Sequence, residues 1–324
     1  MRQWWTVPGK TGGLLELRDV DQPSPGPGQM LIEVGAAGVN RGELLARSAQ
    51  RTDNPAAQPR RSGIECAGKV LQLGEGVTGY AIGERVMARA SACHAEITCI
   101  DADAAMRIPG HLDFAQAAAV PNVFVTAHDA MITHAQFTEG EKLLITAGSS
   151  GVGTAAIQIA AFLGAGHIIA STRNPDKSER LRRLGATAVV VTSDPSWNTQ
   201  VQTLCGGVDV VIDQVGGELF PDLMNCMSVG GRYVSVGRNA GAATSLDLDQ
   251  LARDRLKLIG VTFRTRSAAE ALACSQRFAQ DLLAPLAEGQ LQPTLDRSFP
   301  LEQLPDAHEY MLSNQQFGKI VLTV

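Results

Sequence analysis

The residues with the clearest chemical potential form a glycine-rich turn between an apolar strand at 142–147 and an apolar helix at 152–163. Glycine in such a turn lets the backbone approach a pyrophosphate closely, and the helix that follows offers free N–H groups and the positive end of its dipole. This strand–turn–helix pattern therefore predicts a dinucleotide site. The predicted phosphate contacts are Gly148, Ser149, Ser150, Gly151 and Val152.

The glycine spacing departs from the standard dinucleotide fingerprint. Gly148 and Gly153 fit the pattern, but Ser150 takes the place of the middle glycine and Gly151 is additional. Glycines also occur in turns that bind nothing, so the prediction depends on the strand before the turn and the helix after it.

The stretch after the second predicted strand indicates which dinucleotide binds. NAD-specific sheets place an acidic residue about 20 residues beyond the last glycine, where it binds the ribose 2′-hydroxyl. Thr172 and Arg173 occupy that point here, with Ser171 before them and Lys177 one helical turn later. Hydroxyl donors and cations favour a 2′-phosphate, so these four residues predict NADPH. The alternative is a helix N-terminus with solvated charges.

The amino-acid composition limits the classes of protein to which this chain can belong. The 324 residues carry a net charge of −5, with 44% hydrophobic and 19% charged residues, as in ordinary soluble globular proteins. The absence of a basic run argues against nucleic-acid binding, and no apolar stretch is long enough to span a membrane. The N-terminal residues lack the apolar segment of a signal peptide, and the six cysteines form no Cys-x-x-Cys pair. We therefore expect a cytoplasmic protein with reduced thiols.

The pattern of elements changes along the chain. Short strands with glycine turns fill residues 1–117, with a strand from Met30 that turns after Val34 and a short helix at Glu43–Ser48. From residue 142, strands and helices alternate, which indicates a parallel sheet covered by helices. The predicted strands are 142–147, 167–171, 188–191, 208–213, 230–236 and 256–261, and the predicted helices are 152–163, 176–184, 197–204, 218–227 and 247–253.

The C-terminal region resembles the N-terminal one, because strands and helices no longer alternate regularly there. We predict helices at 122–134, at 267–283 and at 301–312, and a final strand at 319–324. The prediction is an α/β chain with a discontinuous substrate domain, 1–118 and 265–324, and an inserted dinucleotide-binding domain, 119–264.

Eight short motifs follow one another in a recognisable order. They are Pro25–Gly28, Ala36–Asn40, Gly63–Gly68, Gly83–Val86, Ala147–Gly153, Leu184–Ala186, Asp213–Gly217 and Gly318–Leu322. Together they resemble the medium-chain dehydrogenase/reductase superfamily, and within it the zinc-independent, zeta-crystallin-like quinone oxidoreductase branch. The resemblance implies a Rossmann-type doubly wound parallel sheet inserted into a chaperonin-10-like β-barrel domain.

The same resemblance argues against a metal. Alcohol dehydrogenases of this superfamily hold catalytic zinc with a cysteine where this chain has Asn40 and with a histidine where it has Ile64. Their structural zinc needs four closely spaced cysteines, and only Cys93 and Cys99 lie in the corresponding stretch. Without a Lewis acid to polarise an alcohol, we expect the reduction of an already activated double bond.

The resemblance also implies residues near the nicotinamide and the substrate. The candidate catalytic residues are Asn40, Thr126 and Arg238, with a turn asparagine, a helix-buried hydroxyl and a solvated arginine as the respective alternatives. The implied cofactor contacts outside the glycine turn and the 2′-phosphate region are Asn40, Thr126, Gln214, Val236, Gly237, Arg238, Phe263 and Gly318. Asn122 and Asn239 are further candidates by position.

No side chain stands out as a general acid. None of the three tyrosines lies where the family's quinone-binding tyrosines lie. Glu43 falls at a matching acidic position, but a charged helix face is the simpler explanation for it. Because a nicotinamide cofactor supplies the hydride, alignment, exclusion of water and donors to a developing enolate suffice.

Three functions remain open at this point. The first is an NADPH-dependent reductase of quinones or α,β-unsaturated carbonyl compounds, with a small-molecule electrophile as its substrate. The second is a nicotinamide-binding protein with a structural or RNA-binding role, although the acidic balance argues against a nucleic-acid partner. The third is an enoyl-thioester reductase, which needs a basic patch to which Arg60 and Arg61 could contribute. The apolar strand 256–263 predicts a homodimer through a sheet edge.

Overall fold

A computed structural model describes all 324 residues and divides them into two compact units. Unit 1 comprises residues 1–123, 272–288 and 293–324, and unit 2 comprises residues 124–271 and 289–292. The predicted domain bounds, 1–118 with 265–324 and 119–264, stay a prediction. No helix is both long and apolar enough to cross a bilayer.

Unit 1 is built mainly from antiparallel strands. These strands are β1 Arg2–Val7, β2 Leu14–Asp19, β3 Gln29–Val39, β4 Arg60–Arg61, β5 Glu65–Leu73, β6 Arg85–Arg89, β7 Ile97–Asp101, β8 Ala105–Arg107, β15 Leu295–Pro300 and β16 Lys319–Thr323. Its helices are α1 Arg41–Ser48, α2 Phe114–Ala118 and α10 Leu304–Leu312. The main sheet has the order β15-β16-β3-β5-β6-β8 with β7 also on β3, and a smaller sheet has the order β2-β1-β4.

Strand β3 is the centre of the main sheet, since it pairs with β5, β7 and β16. The predicted turn after Val34 is wrong: the strand continues to Val39 through a register shift beside Gly35. Glycine marks close packing here instead of a turn. A Cβ on Gly35 would lie 2.5 Å from the Phe114 ring, and one on Gly38 would lie 2.2 Å from Glu65 Oε1.

Unit 2 contains a six-stranded parallel sheet of order β11-β10-β9-β12-β13-β14. Its strands are β9 Lys142–Ile145, β10 His167–Thr172, β11 Ala188–Val191, β12 Val208–Asp213, β13 Met227–Ser235 and β14 Lys257–Gly260. Its helices are α4 Gly151–Phe162, α5 Ser178–Arg183, α6 Trp197–Cys205, α7 Phe220–Asn225 and α8 Leu248–Arg253. The strand order reverses between β9 and β12, which is where doubly wound sheets bind ligands at their carboxyl ends. The predicted alternation and parallel sheet are confirmed.

The remaining helices differ from their predicted forms. The predicted helix 122–134 is α3 Pro121–His128 followed by a π-helical turn, Asp129–His134. Helix α9 runs from Ala268 to Ala287, four residues beyond the predicted end, and holds Pro285 inside its last turns. Helix α10 begins at Leu304 because a short 3-10 turn, Leu301–Gln303, precedes it.

Candidate functional site

The glycine turn joins β9 to α4 in unit 2. Ser150 is the N-cap of α4, and its Oγ accepts a hydrogen bond from the Gly153 N–H at 3.0 Å. Gly153 cannot carry a side chain without strain, because a Cβ would lie 2.5 Å from the Ala147 carbonyl oxygen. Gly151 and Val152 are the first residues of α4, so their N–H groups have no acceptor within the helix. Such N–H groups are what an anion site at a helix N-terminus requires.

A buried hydrogen-bond network ties this turn to the end of β12. Ser150 Oγ donates to Gln214 Oε1 at 2.7 Å, and Gln214 Nε2 donates to the Thr146 carbonyl at 2.9 Å. Thr146 Oγ1 in turn donates to Asp213 Oδ1 at 2.6 Å. Because Ser150 must both cap the helix and donate to Gln214, the serine at the middle position has a role that glycine could not fill.

The Asp213 carboxylate is the anchor of the next loop. It is fully buried and accepts backbone N–H groups from Val215 and Gly216 at 2.9 and 2.8 Å. The Tyr233 hydroxyl also donates to it, and burial together with the Asp213 charge raises the pKa of Tyr233. Tyr233 is therefore a neutral donor that holds Asp213, which leaves it unsuited to act as a proton source.

The end of β10 carries the residues predicted for a 2′-phosphate. Ser171 and Thr172 are buried at the carboxyl end of the strand, and the Gly148 N–H donates to the Ser171 carbonyl at 2.8 Å. Arg173 is exposed and Lys177 is half-buried at the start of α5. The structure thus brings the predicted phosphate and ribose contacts to neighbouring strand ends, with no acid between His167 and Pro175.

The loop after β13 lies against the same edge of the sheet. The Val236 and Gly237 N–H groups donate to the Asp213 carbonyl at 2.7 and 3.0 Å, and Asn239 Nδ2 donates to the Gln214 carbonyl at 2.7 Å. Arg238 lines a cavity of about 320 Å³ whose wall also includes Phe220, Tyr233, Leu246 and Leu258.

Phe263 follows β14 and is held by a buried ion pair. The Arg266 guanidinium stacks over its ring at 4.5 Å and donates to Asp129 Oδ2 at 2.6 Å. Asp129 is fully buried in the π-helical turn. Thr126 lies on α3 and is only 9% exposed, which agrees with the alternative of a hydroxyl buried within a helix. Its predicted role stays a prediction.

Asn40 lies in unit 1, inside a buried polar cluster with Glu65, Lys319 and Asn122. Its Oδ1 accepts from Lys319 Nζ and from Asn122 Nδ2, both at 2.8 Å, and its Nδ2 donates to Glu65 Oε1 at 2.8 Å. Lys319 and Glu65 are 4% and 0% exposed and form an ion pair of 2.7 Å. Both the oxygen and the nitrogen of the Asn40 amide therefore have hydrogen-bond partners within the protein.

The outer end of this cluster is Arg89. Its Nε donates to Asn122 Oδ1 at 3.0 Å, while the Asn122 backbone N–H donates to Glu65 Oε2 at 2.7 Å. Of the residues in this cluster, Asn40 and Asn122 were predicted from the sequence, whereas Glu65, Lys319 and Arg89 were not. The available signal was a charged residue at the first or last position of β5, β6 and β16, next to buried apolar residues of the same strand.

Glu43 is not part of a charged helix face, since its side chain is only 10% exposed. Its Oε2 accepts the Asn40 backbone N–H at 3.2 Å, which makes it a capping residue of α1, and it lies 3.8 Å from His94 Nε2. Burial raises the pKa of the Glu43 carboxyl, while His94 and Lys319 partly oppose the rise. Gly318 has a φ of 98°, and a Cβ there would lie 2.1 Å from the Thr294 carbonyl oxygen, so its glycine serves the chain turn into β16.

At the two positions where the family's zinc enzymes carry a cysteine and a histidine, this chain has an amide side chain and an aliphatic one. Asn40 is engaged as described, Ile64 has no donor atom, and Cys93 is buried with a thiol whose pKa burial raises. Nowhere do three or more His, Cys, Asp or Glu side chains converge. These residues do not fit a zinc site.

Two family models match the chain. One, described as the alcohol dehydrogenase GroES-like domain, covers residues 26–154, and the other, described as zinc-binding dehydrogenase, covers residues 151–277. The fold prediction of a GroES-like domain combined with a Rossmann-type sheet is thereby confirmed.

Similar proteins and solved structures indicate the branch of the family to which the chain belongs. The polyketide synthase GfsB of Streptomyces halstedii is 33% identical over 92% of this chain, which spans only 5% of that protein's length. The quinone oxidoreductase of Rattus norvegicus is 30% identical, over 94% of this chain and 92% of the relative. The quinone oxidoreductase structure from Thermus thermophilus, described with its NADPH complex, has a TM-score of 0.86 at 26% identity, with both chains fully covered. This chain therefore belongs to the quinone oxidoreductase branch of the medium-chain dehydrogenase/reductase superfamily.

Proposed function

We propose that this protein is an NADPH-dependent reductase that transfers hydride to quinones or α,β-unsaturated carbonyl compounds without zinc. The observation that carries the proposal is the acid-free end of β10, where Ser171, Thr172 and Arg173 stand beside the head of α4. The solved NADPH complex of the Thermus thermophilus quinone oxidoreductase supports the same cofactor.

The residues of unit 2 fit this dinucleotide. The N–H groups at the head of α4 would bind the pyrophosphate, and Arg173 and Lys177 would bind the 2′-phosphate through charge. Val236 and Gly237, fixed on the Asp213 carbonyl, would offer backbone groups to the carboxamide. NADPH supplies the hydride when it is bound.

The polar cluster of unit 1 supports a reaction without a metal. The family's zinc enzymes have a cysteine at the position of Asn40, and here the Asn40 amide is occupied by Lys319, Glu65 and Asn122. A substrate whose double bond is already polarised by conjugation needs alignment, exclusion of water and hydrogen-bond donors to the developing enolate. Asn40, Thr126 and Arg238 remain our candidates for contacts with the cofactor or the substrate.

Stopped-flow absorbance with the full chain tests the proposal. We expect NADPH to be consumed in the presence of a simple quinone or an alkenyl ketone, and NADH to be consumed more slowly. Tight NADPH binding without turnover of any electrophile would favour the non-catalytic alternative and refute the reductase.

An enoyl-thioester reductase is the second candidate. It is favoured by the 33% identity to a segment of a polyketide synthase and by the exposed Arg60 and Arg61 of β4. A comparison of one enoyl group on N-acetylcysteamine and on coenzyme A separates the two candidates. A strong preference for the coenzyme A thioester that is lost in an Arg60→Ala/Arg61→Ala variant would favour the thioester reductase.

We also propose a homodimer through the strand region 256–263. β14 pairs with β13 alone among the strands, and Leu258 on it is 41% exposed. An apolar edge strand with unpaired backbone groups favours pairing with a second copy. Sedimentation should give a dimer for the parent and a monomer for Leu258→Lys, and a monomeric parent would contradict the proposal.

A further inference from the structure

The loop between β13 and α8, residues 236–247, has two unlike halves. At its start, the Val236 and Gly237 N–H groups donate to the Asp213 carbonyl at 2.7 and 3.0 Å. Residues 242–246 are exposed and form no regular structure, and three of them line the cavity of about 320 Å³ beside β14. The conformation of this loop therefore depends on its first half.

Asn239 is the only residue between 236 and 246 whose side chain forms a hydrogen bond. The residue is exposed, yet its Nδ2 donates to the Gln214 carbonyl at 2.7 Å. Gly237 leaves room for this contact, since a Cβ on it would lie 2.4 Å from the same carbonyl oxygen. An exposed amide could bond to water instead, so this single contact decides whether the first half of the loop is fixed through a side chain.

The residue to which Asn239 is bonded also supports the phosphate turn. Gln214 is 5% exposed, and its side chain accepts from Ser150 Oγ at 2.7 Å and donates to the Thr146 carbonyl at 2.9 Å. The side chain of Gln214 thus contacts the head of α4, while its main chain contacts the loop. Because both are fixed on one buried residue, the distance between them is fixed as well.

The first half of the loop has backbone acceptors without partners. The Val236 and Gly237 carbonyl oxygens accept no hydrogen bond from the protein, although the N–H groups of both residues are engaged. A primary amide donates two N–H groups and is satisfied by such acceptors. The nicotinamide half of the cofactor carries a primary amide, whereas the adenosine half does not.

We propose that Asn239 is a positioning residue for the nicotinamide half of the cofactor; this rests on the proposed NADPH-dependent function. Its hydrogen bond to Gln214 holds the Val236 and Gly237 carbonyl groups at a fixed distance from the head of α4. The loop is then arranged for the carboxamide before the cofactor binds, so that binding does not include the cost of ordering it. Without the Asn239 amide, that cost weakens the binding of the nicotinamide half alone.

Calorimetric titration of the full chain tests this role with two ligands. NADPH carries both halves, whereas adenosine 2′,5′-bisphosphate carries the 2′-phosphate but no nicotinamide. Asn239→Leu keeps the size of the side chain but has no donor, and Asn239→Gln keeps an amide. Asn239→Ala also removes the donor and replaces Asn239→Leu if that variant does not fold. The matched control is Ser245→Ala, in the exposed half of the same loop.

The two ligands should respond differently. We expect NADPH to bind about 3- to 10-fold more weakly to Asn239→Leu, as for the loss of one neutral hydrogen bond, with partial recovery in Asn239→Gln and no change in Ser245→Ala. The affinity for adenosine 2′,5′-bisphosphate should be the same in all of these proteins, because the 2′-phosphate contacts lie at the end of β10. A general loss of structure would weaken the binding of both ligands.

The outcomes separate this inference from the proposed function. Equal NADPH affinities of the parent and Asn239→Leu would overturn the inference and leave the proposed function standing. Weaker binding of both ligands to Asn239→Leu, or an equal loss in Ser245→Ala, would also overturn it. A parent that binds NADPH through Asn239 but reduces no electrophile would refute the reductase and leave the positioning role. A parent that binds neither ligand would refute the proposed cofactor and this inference with it.

Discussion

The buried Lys319–Glu65 pair makes a quantitative prediction about unit 1. Lys319→Met keeps the aliphatic stem but removes the ammonium group, which contacts Glu65 Oε1 at 2.7 Å, Asn40 Oδ1 at 2.8 Å and the Val39 carbonyl at 2.9 Å. The Glu65 carboxylate, 0% exposed, then keeps only neutral donors. Removing one partner of a buried ion pair costs about 3–5 kcal/mol, so we expect a loss of that size in the free energy of unfolding.

Urea unfolding in a Trp197→Phe background measures this loss. Trp197 belongs to the core of unit 2, so the remaining Trp4 and Trp5 report on unit 1. The Glu65→Gln/Lys319→Met double variant removes both charges and should recover part of the stability, because no unpaired charge stays buried. A single variant within about 1 kcal/mol of the parent, or a double variant less stable than the single one, would show that the pair does not stabilise unit 1 as described.

Three further predictions concern cofactor choice, the glycine turn and pH. Arg173→Glu should raise the KM for NADPH about 10- to 100-fold and leave that for NADH unchanged, since a charged hydrogen bond contributes about 1.5–3 kcal/mol; equal effects on both cofactors in steady-state assays would contradict a 2′-phosphate contact. Gly153→Ala places a Cβ 2.5 Å from the Ala147 oxygen, so calorimetric titration should show NADPH binding weakened at least about tenfold, and unchanged binding would refute the close approach. Burial, with the charges of His94 and Arg47, lowers the pKa of His308 from 6.5 to about 3, so the unfolded state binds more protons below pH 6.5. Stability is then present above pH 6.5 and declines towards pH 3 by up to about 1.4 kcal/mol per pH unit. Denaturant midpoints of His308→Gln should lose that part of the acid sensitivity, and a variant with the parent's pH profile would exclude His308 as its cause.

The parallel sheet of unit 2 was predictable because its signals are local. Each buried strand is a short apolar run bounded by turn residues, and four of the six predicted strands begin at the residue where the structure begins them. The phosphate turn is likewise contained in one stretch, from Thr146 to Gly153. The hydrogen bond that Ser150 donates to Gln214 could not be predicted from the sequence, because the two residues are 64 positions apart.

The polar cluster of unit 1 was only half predictable for the same reason. Asn40 meets Lys319 across 279 residues and Asn122 across 82, so neither contact leaves a local pattern. The motif containing Gly38 suggested a turn, whereas its glycine gives room to the Glu65 carboxylate. A glycine in the sequence can mark either a turn or a strand position where another group packs closely, and only the three-dimensional structure distinguishes these two cases.

The most direct test of the central claim follows the hydride itself. NADPH carrying deuterium at the transferred position of C4 is allowed to react with an alkenyl ketone in a single turnover, and the product is examined by mass spectrometry and NMR. The account predicts one deuterium on the β-carbon of a saturated ketone and none on the α-carbon, with a slower reaction than for the undeuterated cofactor. Unchanged substrate, or an alcohol with deuterium on the carbonyl carbon, would contradict it.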